Sequence, residues 1–479
     1  MRVLLVSAYE MGHQPLGLAV PAAALRAAGH DVRCLDLAVD PPSPEGISAA
    51  RLVAVSVPMH TAARLGIEFA RRVRRLSPGA HITFYGLYAT PLHDRLTLAG
   101  LADSVVGGEY EPGLVALADR LAATGDAAHG TLPGVGPEPR FNRQRYLVPD
   151  RHGLPPLTRY ARLDFAGERR LAGYVEASRG CAHTCAHCPI TPVYGGRLRL
   201  VQRDAVLADI DQLVAMGARH ITFGDPDFLN AVPHSLAIAE AMHRRHPDVT
   251  FDATTKVQHI IEHAGVLTRL RALGCLFVTS AFESTNDEIL RVLEKGHTRD
   301  DMESALDIAA RAGIALRPTW MTFTPWTSSQ DLVDLLTFVE EHGLVAHVQP
   351  VQYALRLLVL PGSPLVDVLR TERLLGPFDA ERLTYAWTSP DPRVDALRSE
   401  VAAIVEAAAA ISHDHAGEPP ETTFANVKRA AFRVLTGLDA VAAVAPQPRC
   451  RVPGLTEAWF CCAEPTEEQF ALFDRALTA

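Results

Sequence analysis

Three cysteines share one short segment. In ASRGCAHTCAHCPI, Cys181, Cys185 and Cys188 keep C-x-x-x-C-x-x-C spacing immediately after a run of strand character. Three thiolates on one loop can converge on a single metal centre. Structural zinc wants four protein ligands, usually as two separated pairs, whereas a lone three-thiolate loop suits a [4Fe-4S] cluster whose fourth iron stays open to an outside ligand. His183 and His187 could complete a zinc set, so zinc is the rival for this loop. A second set of thiols, Cys450, Cys461 and Cys462, lies in the tail RCRVPGLTEAWFCCAEPTEEQF. A free thiol is only a small fraction thiolate near neutral pH, with a pKa of ~8.5, so an active pair needs a nearby positive charge, a redox partner or a bound soft ion. Arg449 beside Cys450 would lower a thiol pKa only weakly if exposed. Cys34 and Cys275 fall in strand contexts and read as buried apolar residues. His413, Asp414 and His415 form a candidate metal or acid–base group, with a solvated helix end as the plainer reading.

The elements that must position these residues follow from periodicity. Residues 1–125 alternate β-rich runs (Val3–Val6, Val32–Leu35, Val53–Val57, Ile82–Tyr85) with helical patterns, which predicts a doubly wound α/β domain. Between the first two runs, PAAALRAAGH places Pro21 in a first helical turn and Gly29 just past the helix end. Leu65, Phe69 and Val73 mark a second helix that stops before Pro78 and Gly79. Any ligand crevice lies at the strand carboxyl ends, here Tyr9–Gly17 and Gly86–Thr90. Residues 126–170 are rich in Pro, Gly and Arg and read as a linker. Residues 171–370 resume the alternation, with strands expected at 219–223, 249–254, 276–280, 314–320 and 346–351 and a clear amphipathic helix over Asp204–Met216. With the strand before Cys181 this makes six strand–helix units in a parallel sheet, open or closed into a partial barrel. Residues 371–479 begin with an alanine-rich helix near Val401–Ile411 and end in the irregular cysteine tail.

Composition bounds the function. The chain has 479 residues, 48% hydrophobic and 21% charged, which is globular composition with room for two or three domains. The formal charge of −9 offers no global basic field for nucleic acid or anionic lipid. Apolar runs stop short of the ~18 to 20 residues that a membrane span needs, and the opening MRVLLVSAYE reads as a buried strand, so no membrane partner and a cytoplasmic location are expected.

The cluster loop and its surroundings resemble the radical S-adenosylmethionine (SAM) superfamily over nearly all of 174–365. That resemblance implies a partial (βα)6 barrel, SAM chelated to the open iron, and reductive cleavage of a carbon–sulfur bond to give a carbon radical. It also implies site residues. His187 fills the aromatic position that packs near the adenine. Gly224 in FGDPDF, with Asp225 and Asp227 as the candidates, corresponds to the turn that touches the SAM amino group. Glu283 belongs to a fourth-strand element, FEST, followed by LEKGH at 293–297. Arg317 on the fifth strand is the candidate partner of the SAM carboxylate, with a surface Arg as the alternative. Pro361 and Gly362 in VLPGSPL border the adenine.

The first domain, with VVGGEYEPGL at Val105–Leu114, resembles the cobalamin-binding-type domain that precedes many such barrels. The Asp-x-His-x-x-Gly motif that supplies an axial histidine is absent, and His13 lacks its neighbours, so a cap without cobalamin is the alternative. CCAEP, Cys461–Pro465, resembles the signature of the CUAEP/CCAEP-tail radical SAM (seleno)protein family, which implies a nucleophile or soft-element ligand at Cys462. The resulting expectation is a transferase-type radical SAM enzyme that forms a carbon–heteroatom bond on an arsenic, sulfur or selenium species held by Cys450, Cys461 and Cys462. Its substrate would be a small molecule and its electron donor a flavodoxin or ferredoxin. Cobalamin-dependent radical methylation is the alternative, and a non-catalytic iron–sulfur or zinc-binding protein the alternative from another class.

Overall fold

The computed structural model describes residues 1–124, 135–141, 144–412, 418–437, 452–457, 460–467 and 469–470. The first domain is a parallel sheet of β1 (Arg2–Ser7), β2 (Asp31–Asp36), β3 (Leu52–Ser56), β4 (His81–Tyr85), β5 (Ser104–Gly108) and β6 (Gly136–Arg140), ordered β2-β1-β3-β4-β5-β6. Every residue of β3 and β4 is buried, as expected of strands covered by helices on both faces. The sixth strand falls inside the stretch expected to be linker. Its sequence, GPEPR, carries two prolines and is tolerated because it sits at the sheet edge, pairing with β5 alone.

The first helix also departs from expectation. It runs Leu16–Ala27, so Pro21 lies in its interior instead of its first turn. An interior proline removes the N–H that would bond the carbonyl four residues back. That carbonyl, Gly17 O, accepts instead from the Tyr85 hydroxyl at 2.6 Å. Gly29, with φ of 85°, ends the helix as predicted.

The second sheet starts with an antiparallel hairpin, β7 (Arg162–Phe165) and β8 (Glu168–Val175), and the chain then forms the small antiparallel pair β9 (Ser178–Gly180) and β10 (Leu198–Leu200). Parallel strands β11 (His220–Phe223), β12 (Thr250–Thr254), β13 (Cys275–Glu283) and β14 (Ala315–Trp320) follow in order outward from β8. The strand expected at 346–351 is absent: that stretch is two 3₁₀ turns, Val345–His347 and Pro350–Ala354. Pro350 has no N–H to give a ladder. The sixth barrel position is met by one isolated bridge, Phe323 to Arg356, beyond β14. The helix expected near Val401–Ile411 is longer, spanning Pro392–Ser412, and packs on a second, Pro420–Thr436, beneath the 3₁₀ turns.

The two sheets share a core. One continuous apolar cluster joins Leu4, Val55 and Phe84 of the first domain to Phe223, Phe251 and Trp320 of the second. A buried ion cluster reinforces the junction: Arg179 on β9 contacts Glu111 (2.7 Å), Glu176 (3.0 Å) and Glu109 (3.4 Å) between the rings of Tyr110 and Tyr146. Among the described residues no helix is long and apolar enough to cross a membrane.

Candidate active site

The cysteine loop is launched by a residue that must be glycine. At Gly180 (φ 71°) an added Cβ would lie 2.3 Å from the Arg197 carbonyl oxygen. The loop is then pinned at its middle, where Ala186 N–H donates to Leu293 O (3.0 Å) and Ala186 O accepts from Ser363 Oγ (3.0 Å). Thr191 Oγ1 donates to Cys185 O at 2.9 Å. Cys181 Sγ accepts from Asn230 Nδ2 and from the His183 N–H, each at 3.5 Å. Burial pushes the Cys188 thiol up to about 12 and raises Cys181, so without a metal these sulfurs stay protonated, while coordination would deprotonate them.

These donors fit an iron–sulfur cluster. Three soft sulfurs stand on one loop, hydrogen bonds already reach one of them, and the buried Lys295 lies close enough to Cys185 and Cys188 for their charges to interact. Among the described residues, the metal-competent side chains gathered within 4.8 Å are His183, Asp227 and His259 instead of the three cysteines.

Most of the residues expected to border SAM surround this loop. Glu283, at the end of β13, has a φ of 66° where the β13–β14 register shifts. Its Oε1 accepts from Lys295 Nζ and faces His187 Nε2, both at 3.2 Å. Burial would raise this carboxyl, but Lys295 and His187 hold it at about 2, so it is ionised. The Pro361–Gly362 turn backs the loop, with Gly362 against Pro192 and Ser363 on Ala186. Gly224 follows β11, and a Cβ there would strike the Tyr174 hydroxyl at 1.9 Å.

The two aspartates have protein partners. Asp225 accepts from Ala177 N–H (2.9 Å) and Ser178 Oγ (2.5 Å), which fixes the strand that leads into the cysteine loop. Burial pushes its carboxyl up to about 7 against those hydrogen bonds. Asp227 Oδ2 lies 2.7 Å from His259 Nδ1, and His259 Nε2 lies 3.3 Å from His183 Nε2. This chain of contacts ties the loop between Cys181 and Cys185 to the ends of β11 and β12.

Arg317 is placed differently. It is level with Thr279 in the β13–β14 register, while Trp320 is level with Glu283. Three residues at ~3.3 Å each put it about 10 Å lower along the sheet. Its Nη1 donates to Pro453 O at 3.0 Å, so it holds the tail.

The tail returns to the same mouth. Gly454–Leu455 pairs antiparallel with β7, and Gln349 Nε2 donates to Glu457 O at 2.9 Å. Cys461 Sγ and Cys462 Sγ are 3.6 Å apart. The Cys461 contact, then burial, then the neighbouring charges including Glu283 raise the Cys462 thiol. The buried Tyr88 hydroxyl senses Cys462, Cys461 and Cys188 together, which links the tail pair to the cysteine loop. Thr61 Oγ1 donates to Ala463 O at 2.8 Å, and Glu464 pairs with Arg64, with His60 Nε2 at 3.6 Å. Cys450, Arg449, Trp459 and the His413, Asp414, His415 group lie outside the described residues. Phe460 packs against the core. Sequence reasoning missed His259, Asn230 and the role of Lys295, and it reached Tyr88 only as part of the Gly86–Thr90 stretch. Of these only Lys295, inside LEKGH, carried a motif signal.

Comparison with known proteins agrees with this fold. Residues 175–337 match the Radical SAM superfamily and residues 2–118 the B12 binding domain. A hopanoid C-3 methylase of Methylococcus capsulatus is 27% identical over 326 residues, and the match spans 65% of this chain but only 62% of that protein. A tRNA-2-methylthio-N(6)-dimethylallyladenosine synthase of Desulfitobacterium hafniense is 29% identical over 143 residues, or 28% of this chain and 32% of that one. Among solved structures, the radical SAM methyltransferase TsrM of Kitasatospora setae with cobalamin and a [4Fe-4S] cluster superposes with a TM-score of 0.63 at 16% identity, covering 91% of this chain and 99% of that one. The cobalamin-dependent radical SAM enzyme OxsB gives 0.65 at 14% identity, covering 90% and 72%. This chain thus joins a B12-binding-type domain to a half-barrel that matches the Radical SAM superfamily over residues 175–337.

Proposed function

We propose that the chain delivers a carbon radical to a soft acceptor, an arsenic, sulfur or selenium species, held at Cys461 and Cys462. The observation that carries this reading is the sulfur pair, 3.6 Å apart and within electrostatic reach of Glu283 and Tyr88. Cys181, Cys185 and Cys188 are the ligands for the cluster, and His187, Gly224, Asp225, Asp227, Glu283, Pro361 and Gly362 border SAM. When bound, the cluster and SAM supply a carbon radical by one-electron cleavage of a sulfonium carbon–sulfur bond. The chain's own residues do the rest. Glu283 stays ionised against Lys295 and aims His187, Asp225 sets the strand before the loop, and the apolar core with Phe460 keeps water from the mouth. Soft thiolates suit a soft trivalent ion. Joining the carbon to an acceptor that loses hydroxide takes one electron beyond the cleaving one and one proton, and releases water. Both electrons would come from a flavodoxin or ferredoxin in the cytoplasm.

The test is anaerobic incubation of the reconstituted enzyme with dithionite, SAM and each acceptor, with products identified by mass spectrometry. Cys462→Ser is expected to keep the cluster and SAM binding while losing acceptor turnover. Normal turnover by that variant would remove the reading. Cobalamin-dependent methyl transfer is the second reading, supported by the B12-binding match and the names of the relatives. A corrinoid that copurifies and a methylated product would favour it.

A further inference from the structure

In an open parallel sheet, ligands sit outside the strand carboxyl ends where the strand order reverses. In the first domain that point lies between β1 and β3. The residues that follow these strands, and those after the neighbouring β4, are already engaged by the chain's own tail. After β1, an added Cβ at Gly12 would lie 2.5 Å from Glu457 Oε2, and the Tyr9 hydroxyl sits beside the same carboxylate. After β3, Thr61 donates to Ala463 O at 2.8 Å, and Arg64 and His60 hold Glu464. After β4, the buried Tyr88 lies near enough to the two thiols for their charges to interact. Two histidines of these loops are buried: His13 has its ring 4.7 Å from Tyr174 of the barrel, and His60 Nε2 lies 3.6 Å from the Glu464 carboxylate.

We propose that Glu457 and Phe460–Glu464 are the resident occupant of this crevice, so that the tail and a corrinoid compete for it. A corrin is a broad flat plate that needs the whole switch-point slot. Backbone at Ala463 and the Glu464–Arg64 pair stand across that slot, and the residues described here do not fit both occupants at once. With the tail seated, the crevice presents a dithiol to the barrel mouth.

The experiment compares the full-length chain with its Thr61→Val/Glu464→Ala variant, which loses the Thr61 hydrogen bond to Ala463 and the Arg64 and His60 contacts of Glu464 while keeping the Arg317–Pro453 and Gln349–Glu457 contacts. Cyanocobalamin is titrated by gel filtration and visible absorbance. In parallel, iodoacetamide labelling of Cys461 and Cys462 is mapped by mass spectrometry with and without the corrinoid. The variant is expected to bind at least tenfold more tightly than the parent, and saturating cyanocobalamin is expected to speed labelling of the parent's tail thiols at least tenfold. Equal affinities with unchanged labelling would overturn the proposal. So would a variant folded by circular dichroism that binds no corrinoid, because the crevice would then have no second occupant for the tail to exclude.

Discussion

Glu283 Oε1 and Lys295 Nζ meet at 3.2 Å in the interior, directly beneath the cysteine loop. Both side chains are more than nine-tenths buried, so neither charge has water to fall back on. Breaking a buried pair by removing one partner leaves an uncompensated charge and costs about 3 to 5 kcal/mol. Lys295→Met is therefore expected to lower the unfolding free energy by that amount in a denaturant titration. Glu283→Gln, which leaves Lys295 unpaired, belongs in the same range. The double variant Glu283→Gln/Lys295→Met is expected to recover part of the loss, and additive costs would show that the two residues are not coupled.

The interior proline of the first helix gives a second prediction. Tyr85 is buried, and its hydroxyl satisfies the Gly17 carbonyl that Pro21 leaves open. Tyr85→Phe is expected to cost about 1 to 3 kcal/mol, the penalty for an unsatisfied buried acceptor. In a Pro21→Ala background the helix can supply its own N–H to Gly17, and the cost of Tyr85→Phe should shrink by more than half. An unchanged cost in that background would show that the hydroxyl does something else.

Asp225 should make stability depend on pH. Its carboxyl is pushed up to about 7 by burial, despite the donors Ser178 and Ala177, against ~3.9 in an unfolded chain. The folded chain therefore binds the proton more tightly. The associated stability is complete below pH ~4 and is lost as pH rises through about 7, a span on the order of 4 kcal/mol. Asp225→Asn cannot ionise, so it should flatten the stability curve between pH 4 and 7 while the other groups titrate as before. A slope that is the same in both proteins would rule Asp225 out as its source.

What the sequence made legible follows a physical divide. Local signals worked: the β-rich runs of the first domain, the helix over 203–215 and the cysteine loop all rest on neighbours within one element. Elements whose fate depends on distant partners were misread. GPEPR looks like linker and becomes a strand because β5 offers a free edge. Residues 346–351 look like a strand and become 3₁₀ turns because Pro350 cannot join a ladder. Pro21 looks like a helix start and lies mid-helix because Tyr85, 64 positions on, satisfies the carbonyl it exposes. The site divides in the same way. Cys181, Cys185 and Cys188 announce themselves by spacing, whereas His259 and Tyr88 reach the loop only through tertiary contacts.

Arg317 separates the two kinds of inference most sharply. Its place on the fifth barrel strand makes a guanidinium partner for the SAM carboxylate a natural expectation, yet the side chain is half-buried a layer below Glu283 and donates to Pro453 O. Burial lowers its pKa to about 10, with Asp252 opposing that fall, so it is charged at neutral pH and needs the acceptor it has. An added Cβ at Gly454 would come within 2.7 Å of Arg317 Nη1, so the tail strand runs close against the guanidinium. Arg317→Met should free the tail at its root. Limited proteolysis of the chain beyond Thr456 and alkylation of Cys461 and Cys462 should both speed up several-fold, while SAM affinity, measured by equilibrium dialysis on the reconstituted protein, should change less than threefold. A tenfold loss of SAM affinity with unchanged thiol reactivity would return Arg317 to the cofactor pocket.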